Sequence, residues 1–251
     1  MGRRGTRVPE DGSPFLMRTQ LVRERIADAA AYPFSIPAVA ALDGLELHPR
    51  VTYFVGENGS GKSTLLEGVA VAAGFNAEGG SMNFHFSTRS SESSLASALR
   101  LVRSVRRPRT GFFLRAESFF NVATQVEEIG VVDSYGGRSL HEQSHGESFI
   151  ALALHRFGPQ GLYILDEPEA ALSPLRQMSM LRRMHDLVRQ GCQFIVATHA
   201  PVLLAYPEAW IYELDASGLR RVEYDETSTV RVTRDFLSDR SGSLAKLFSD
   251  D

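Results

Sequence analysis

The sequence predicts an α/β fold with a mainly parallel central sheet flanked by helices, and three observations lead there. First, the runs Val51-Thr52-Tyr53-Phe54-Val55, Leu162-Tyr163-Ile164-Leu165 and Phe194-Ile195-Val196-Ala197 are continuously apolar rather than alternating. Strands buried on both faces, as in a parallel sheet, read this way. Second, helical patterns follow the first two runs: Leu65, Leu66, Val69 and Ala73 share one face, and so do Leu175, Met178, Leu181 and Val188. Third, strand followed by helix, repeated, implies right-handed crossovers within one sheet.

The remaining elements follow in chain order. Residues 15–26 and 39–48 are strand candidates that precede the first buried strand and supply an antiparallel N-terminal β part. Residues 74–143 are irregular, with a Ser/Gly-rich stretch at 79–94, a helix near Leu95, Leu99 and Val102, and a strand at 110–116. Ser173 and Pro174 occupy N-cap and first-turn positions, and Gly191 a C′ position, of the helix between them. Residues 210–215 and 219–224 form a hairpin around Ser217 and Gly218. The expected organisation is a disordered tail at 1–14 and one domain at 15–251, with a short helical or variable subdomain inserted at about 75–145.

An apolar content of 43% is ordinary for a globular chain. The net charge of -3 gives no global electrostatic drive toward nucleic acid. The single cysteine, Cys192, excludes an internal disulfide and fits a reducing compartment. No apolar run approaches the roughly 20 residues needed to span a bilayer. The Arg-containing start lacks the apolar core of a secretory signal. A cytoplasmic protein with no direct membrane insertion is expected.

Gly56-Glu57-Asn58-Gly59-Ser60-Gly61-Lys62-Ser63-Thr64 matches G-x-x-x-x-G-K-[ST] between a buried strand and an amphipathic helix. Glycines let backbone N–H groups curl around phosphate oxygens, and the helix presents its positive end to the same anion. Lys62 would reach the β- and γ-phosphates, and the Ser63 hydroxyl would coordinate Mg²⁺. This is a P-loop, and it implies ATP and Mg²⁺ as ligands.

The strand 162–165 ends in Asp166-Glu167, and 194–197 ends in Thr198-His199. Ligands of open α/β sheets bind at the carboxyl ends of strands, which places all three functional groups on the correct side. Asp166 is a metal ligand in this reading. Glu167 orients or deprotonates the attacking water, and His199 hydrogen-bonds the γ-phosphate or that water.

Taken in order, these segments resemble the ABC-type ATPases over about residues 32–201. The resemblance makes Gly56 to Thr64 the Walker A segment, Asp166 the Walker B acid, Glu167 the catalytic acid and His199 the switch histidine. Gln143-Ser144-His145-Gly146-Glu147-Ser148 resembles the family signature. Ser144, Gly146 and Glu147 would then contact nucleotide held by the opposite subunit of a head-to-tail homodimer. Ser144 and Gly146 open a helix through Phe149, Ile150, Leu152 and Ala153, whose N-terminus suits a phosphate. Three positions depart from the family: Gln143 replaces a leucine, His145 a glycine, and Ser173 the transporter D-loop aspartate. Glu-Pro-Glu followed by Leu-Ser-Pro is closer to the soluble branch with the RecF, SMC and OLD ATPases. Glu117 stands at the Q-loop position, or is an exposed loop acid. Tyr32 or Phe34 would stack on adenine, or both belong to the core.

The resemblance also bears on role. Only a short segment separates Glu117 from Ser144, which leaves little room for a transporter coupling subdomain. No coiled coil interrupts the domain, and the tail after Pro201 is too short for a Toprim nuclease. The expected function is Mg²⁺-dependent ATP hydrolysis by a head that dimerises around ATP as a switch for an unidentified protein partner or DNA. Arg100, Arg103, Arg106, Arg107 and Arg109 form a basic cluster that either tracks phosphates or is a solvated surface. The alternatives are an ATP-binding subunit of a transporter, a P-loop small-molecule kinase, and a nucleotide-dependent binding module without turnover.

Overall fold

The computed structural model describes residues 13–82, 94–115 and 145–249. Along the chain, β1 (Leu16–Leu21), α1 (Pro37–Ala40) and β2 (Leu45–Glu46) precede β3 (Val51–Gly56) and α2 (Lys62–Ala73). Then come β4 (Gly80–Ser81), α3 (Ser94–Ala98), β5 (Leu99–Arg103) and β6 (Thr110–Arg115). The second half holds α4 (His145–His155), β7 (Gly161–Asp166), α5 (Pro174–Arg189), β8 (Gln193–Ala197) and α6 (Pro201–Leu204). It closes with the hairpin β9 (Trp210–Asp215) and β10 (Gly218–Val222), then α7 (Ser228–Ser238) and α8 (Arg240–Leu247).

The described strands form two sheets. The main one has the order β10-β9-β3-β8-β7-β6-β4, parallel from β9 to β6 and antiparallel at both edges. The smaller one, β2-β1-β5, is antiparallel. The continuous apolar runs follow from this arrangement, because each serves two cores by alternation. Val51, Tyr53 and Val55 face one cluster while Phe54 faces the other. Tyr163 and Leu165 are separated in the same way from Leu162 and Ile164, and Phe194 and Val196 from Ile195 and Ala197. Phe149 and Leu152 of α4 and Met180, Met184 and Leu187 of α5 cover the first face; Leu65, Leu66 and Val69 of α2 cover the second.

Gln193 ties the N-terminal strand to the main sheet. Its buried amide oxygen accepts from the Phe15 and Leu16 N–H groups, both at 2.9 Å. Its nitrogen donates to the Leu16 and His48 carbonyls at 2.8 and 3.0 Å. All four capacities of the amide are used to satisfy backbone groups that would otherwise be stranded. Ser13 and Pro14, predicted to lie in the tail, are held by Arg106 and by the Ser104 hydroxyl respectively; the rest of that tail lies outside the described residues.

Several local expectations are corrected. Residues 39–48 are not one strand: Pro37 at the first helical turn starts α1, and only Leu45–Glu46 pair with β1. Leu99 and Val102 do not continue the helix of Leu95; they lie on β5, which pairs antiparallel with β1 from Leu16 to Leu21. Helical spacing in so short a stretch is overridden by the edge that β1 offers. On α5 the buried residues are Gln177, Met180, Met184, Leu187 and Val188, whereas Leu175 is 71% and Met178 52% exposed. The helix carries two apolar stripes, and contact with the sheet chooses between them. Ser173 is the N-cap residue but its side chain makes no capping bond. Gly191, at φ 80°, ends the helix as expected: its N–H donates to the Val188 carbonyl and the Cys192 N–H to that of Leu187.

The basic cluster is not a helix end. Arg100 and Arg103 lie on β5. Arg103 donates to the Ala72 and Ala73 carbonyls at the end of α2, Arg106 to those of Ser13 and Gly191, and Arg107 to those of Ser104 and Arg106. Three of the five guanidinium groups thus hydrogen-bond backbone carbonyls.

Candidate functional site

Sheet order and register assemble the site. β8 lies between β3 and β7, and β6 flanks β7, so Phe54, Ala197, Asp166 and Arg115 stand opposite one another across the strands. Whatever follows this row emerges along one edge: the P-loop after β3, Thr198-His199 after β8, and Glu167 after β7. It is the carboxyl-end edge at which open α/β sheets bind ligands.

The P-loop turns sharply. Gly56, Gly59 and Gly61 have φ of 154°, 81° and 97°, which L side chains rarely adopt. At Gly56 space also forbids a side chain, since a Cβ would lie 2.3 Å from the Leu214 carbonyl oxygen; at Gly61 it would lie 2.6 Å from Ile36 Cγ2. Lys62 is buried, and its Nζ donates to the Gly56 and Glu57 carbonyls at 2.8 and 3.1 Å, closing the loop on itself. The Ser60 hydroxyl is buried inside the loop without a hydrogen-bond partner. A cradle of this shape, with a lysine ammonium and an orphaned hydroxyl within it, fits a polyphosphate.

Ser63 Oγ donates to Asp166 Oδ1 at 3.0 Å. A hydroxyl and a 6%-exposed carboxylate in contact form the oxygen-donor pair a hard cation such as Mg²⁺ requires, so the residues fit the metal. Glu167 directly follows in the left-handed region, φ 48° and ψ 52°. That conformation is costly for a non-glycine residue and is held by the Glu167 N–H bond to the Ala197 carbonyl. The Glu167 carboxylate lies 3.9 Å from His199 Nδ1.

Glu169 grips His199. Its carboxylate, 7% exposed, accepts the His199 backbone N–H at 2.7 Å, and the same Oε1 is 3.5 Å from Nδ1. Its Oε2 is buried with no hydrogen-bond partner. On the other side the Thr229 hydroxyl donates to the His199 carbonyl at 2.8 Å, linking α7 to the segment that follows β8. Tyr53 lies fully buried beneath; burial pushes its hydroxyl well above the usual phenol range, with Tyr206 and Glu169 acting in the same direction.

Two hollows flank the P-loop. One, of about 280 Å³, is lined by residues including Tyr32, Ser63, Thr64, Glu67 and Arg115. The other, of about 250 Å³, touches Gly56, Asn58, His199, Thr229 and Val232 among others. Tyr32 is 73% exposed and its hydroxyl is 3.1 Å from Thr64 Oγ1, whereas Phe34 is buried in the core cluster around α2. Of the two aromatics, only Tyr32 is exposed at this edge.

The signature segment is described from His145 onward; Gln143 and Ser144 lie outside the described residues, as does Glu117. Gly146 packs so closely against the turn at 168–171 that a Cβ would sit 2.6 Å from the Ala171 carbonyl oxygen. Glu147, expected to face nucleotide, forms an ion pair with Arg176 at 3.0 Å. Phe149, Leu152 and Ala153 are buried as expected, with Ile150 half-buried against them. Three residues near the site escaped the sequence reading. Glu169 stood in the quoted D-loop segment without a role, Thr229 carried no pattern, and Arg115 was visible only as the residue ending a strand.

Residues 130–205 match the family described as "AAA domain, putative AbiEii toxin, Type IV TA system", and residues 39–128 match a second family described as "AAA domain". The chain is 31% identical over 204 residues to the hemin import ATP-binding protein HmuV of Streptomyces coelicolor, covering 72% of this chain and 72% of that one. It is 26% identical over 171 residues to the ABC transporter G family member STR2 of Medicago truncatula, covering 60% of this chain but only 24% of that relative. Among solved structures, the SMC head domain from Thermotoga maritima aligns at 14% identity and a TM-score of 0.47, covering 83% of this chain and 99% of that one. Among the described residues no helix is long and apolar enough to cross a membrane.

Proposed function

The chain belongs to the ABC-type ATPases, and from that premise we propose that it hydrolyses Mg·ATP to ADP and phosphate as an ATP-sandwiched, head-to-tail homodimer. The observation that carries the reading is the 3.0 Å contact between Ser63 and Asp166, which joins the P-loop to the acid at the end of β7. The Gly56 to Thr64 loop would bind the phosphates through its N–H groups, with Lys62 exchanging its loop carbonyls for phosphate oxygens. Ser63 and Asp166 would hold Mg²⁺, which supplies charge neutralisation at the β- and γ-phosphates. Glu167 would accept a proton from the attacking water as the water oxygen bonds to the γ-phosphorus and the bond to ADP breaks. His199 would hydrogen-bond the same oxygens, and Tyr32 would stack on adenine. Ser144, Gly146 and Glu147 would complete the partner's nucleotide site.

In this reading the nucleotide is a switch, and its output passes to a cytoplasmic partner protein or to DNA. The test is light scattering and phosphate release on three forms of the chain. With saturating Mg·ATP, Glu167→Gln is expected to accumulate as a dimer without turnover, Lys62→Ala to stay monomeric, and the parent chain to release phosphate with no acceptor added. A monomeric Glu167→Gln refutes the sandwich, and absence of acceptor-independent phosphate release from the parent refutes hydrolysis and restores the small-molecule kinase. One observation favours a second reading, a transporter's ATP-binding subunit: the similarity to a protein named for hemin import. Stable co-purification with a permease would support it.

A further inference from the structure

Arg115 and Glu67 have no role in the hydrolysis described above, yet Arg115 lies beside Asp166, one of the two residues assigned to the metal. Arg115 closes β6 directly opposite Asp166. Its Nη1 donates to Glu67 Oε2 at 2.7 Å and to the Ala77 carbonyl at 3.3 Å, and its Nε lies 3.9 Å from Asp166 Oδ2. The side chains of Arg115, Glu67 and Asp166 are 22%, 25% and 7% exposed, so water screens them only in part. Asp166 therefore meets a hydroxyl at one oxygen and a guanidinium beside the other. Arginine stays protonated at any pH the protein would encounter, so this positive charge is permanent.

Resting on the assignment of Ser63 and Asp166 to Mg²⁺, we propose that Arg115 is a built-in counter-ion that makes loading of the divalent cation conditional on nucleotide. A bare cation approaching Asp166 meets a fixed positive charge, whereas a cation carried on polyphosphate arrives with a surplus of negative charge. Arg115 also holds Asp166 against Ser63 when no cation is present. Glu67 sets the strength of the effect by offsetting part of the guanidinium charge through its direct contact.

The experiment is titration of Mn²⁺ into the full-length, nucleotide-free chain, with free Mn²⁺ read by electron paramagnetic resonance. Arg115→Gln is expected to bind Mn²⁺ about tenfold more tightly than the parent, the effect of one unit charge on a divalent ion at about 6 Å even at the permittivity of water. Arg115→Lys keeps the charge and should stay close to the parent. Glu67→Gln removes the offset and should weaken Mn²⁺ binding about threefold or more. Opposite shifts in the two halves of one ion pair separate the electrostatic role from a purely structural one, which would move both in the same direction. Equal or weaker Mn²⁺ binding by Arg115→Gln overturns the proposal. If that variant does not fold, unchanged or tighter binding by Glu67→Gln overturns it instead. Calorimetry of ATP with Mg²⁺ on the parent chain reports separately on the functional reading, since its failure would remove the ATPase assignment without altering the nucleotide-free Mn²⁺ comparison.

Discussion

Replacing Glu169 by alanine is expected to separate stability from function in this protein. The carboxylate is almost wholly buried, with one oxygen accepting the His199 N–H at 2.7 Å and the other without a hydrogen-bond partner. A hydrogen bond to a charged acceptor contributes roughly 1.5–3 kcal/mol, so its loss shifts the population of the gripped His199 segment by about tenfold or more. Burial of a charge with an unsatisfied oxygen works the other way and costs stability. Glu169→Ala is therefore expected to lower kcat for ATP hydrolysis about tenfold or more, with little change in KM, while Tm stays level or rises. Glu169→Gln keeps an acceptor for the N–H but removes the charge, and should fall between the parent and alanine in kcat. The double variant Glu169→Ala/His199→Ala should be no slower than His199→Ala alone, because the carboxylate acts through the histidine segment. The assays are steady-state phosphate release and a thermal melt on each variant. A Glu169→Ala enzyme with parental kcat, or fully additive losses in the double variant, would refute the reasoning.

Three further outcomes are expected. Tyr32→Ala should raise KM for ATP by about five- to tenfold, the worth of one aromatic stacking contact, whereas Phe34→Leu should lower Tm and leave KM unchanged; the reverse pattern would move the adenine contact to Phe34. Gln193→Leu strands the Phe15 and Leu16 N–H groups and the Leu16 and His48 carbonyls, and urea unfolding should show a loss of about 3 kcal/mol or more. His48 accepts the Arg50 and Val51 N–H groups at Nδ1, both at 3.1 Å, and burial first, then Arg50 and Arg221, hold its pKa below the ordinary histidine value of 6.5. The unfolded chain then binds more protons than the folded one below that value. The His48 contribution is thus present above pH 6.5 and is lost as pH falls through the lower folded value. His48→Gln should flatten the fall in Tm between neutral and mildly acidic pH, and an unchanged slope would exclude His48 as its source.

Much of the site was legible in the residues. The P-loop needs glycines where the backbone turns through positive φ and a lysine that folds back on the loop, so chemistry and spacing coincide in one contiguous segment. Asp166, Glu167 and His199 were legible because each ends an apolar run, and a strand's end is a position that polarity marks. Arg115 and Glu169 were not, because nothing in the local pattern separates a charged residue that contacts a site from one that contacts solvent. The arginines around β5 make the same point: nothing in the local pattern showed that Arg103, Arg106 and Arg107 hydrogen-bond backbone carbonyls.

By itself, the sequence determined the buried strands, the helices that follow β3 and β7, and the identities of the groups at the strand ends. These depend on local periodicity, backbone freedom and side-chain chemistry, which a linear string contains. Only the tertiary structure decided that Ala197 stands between Phe54 and Asp166, that Arg115 ends beside Asp166, which stripe of α5 is buried, and that Leu99 and Val102 form a strand against β1. Each of those outcomes is a choice of partner across a long stretch of chain. Such choices are settled by competition among all the surfaces the folded molecule offers, and no single segment carries that information.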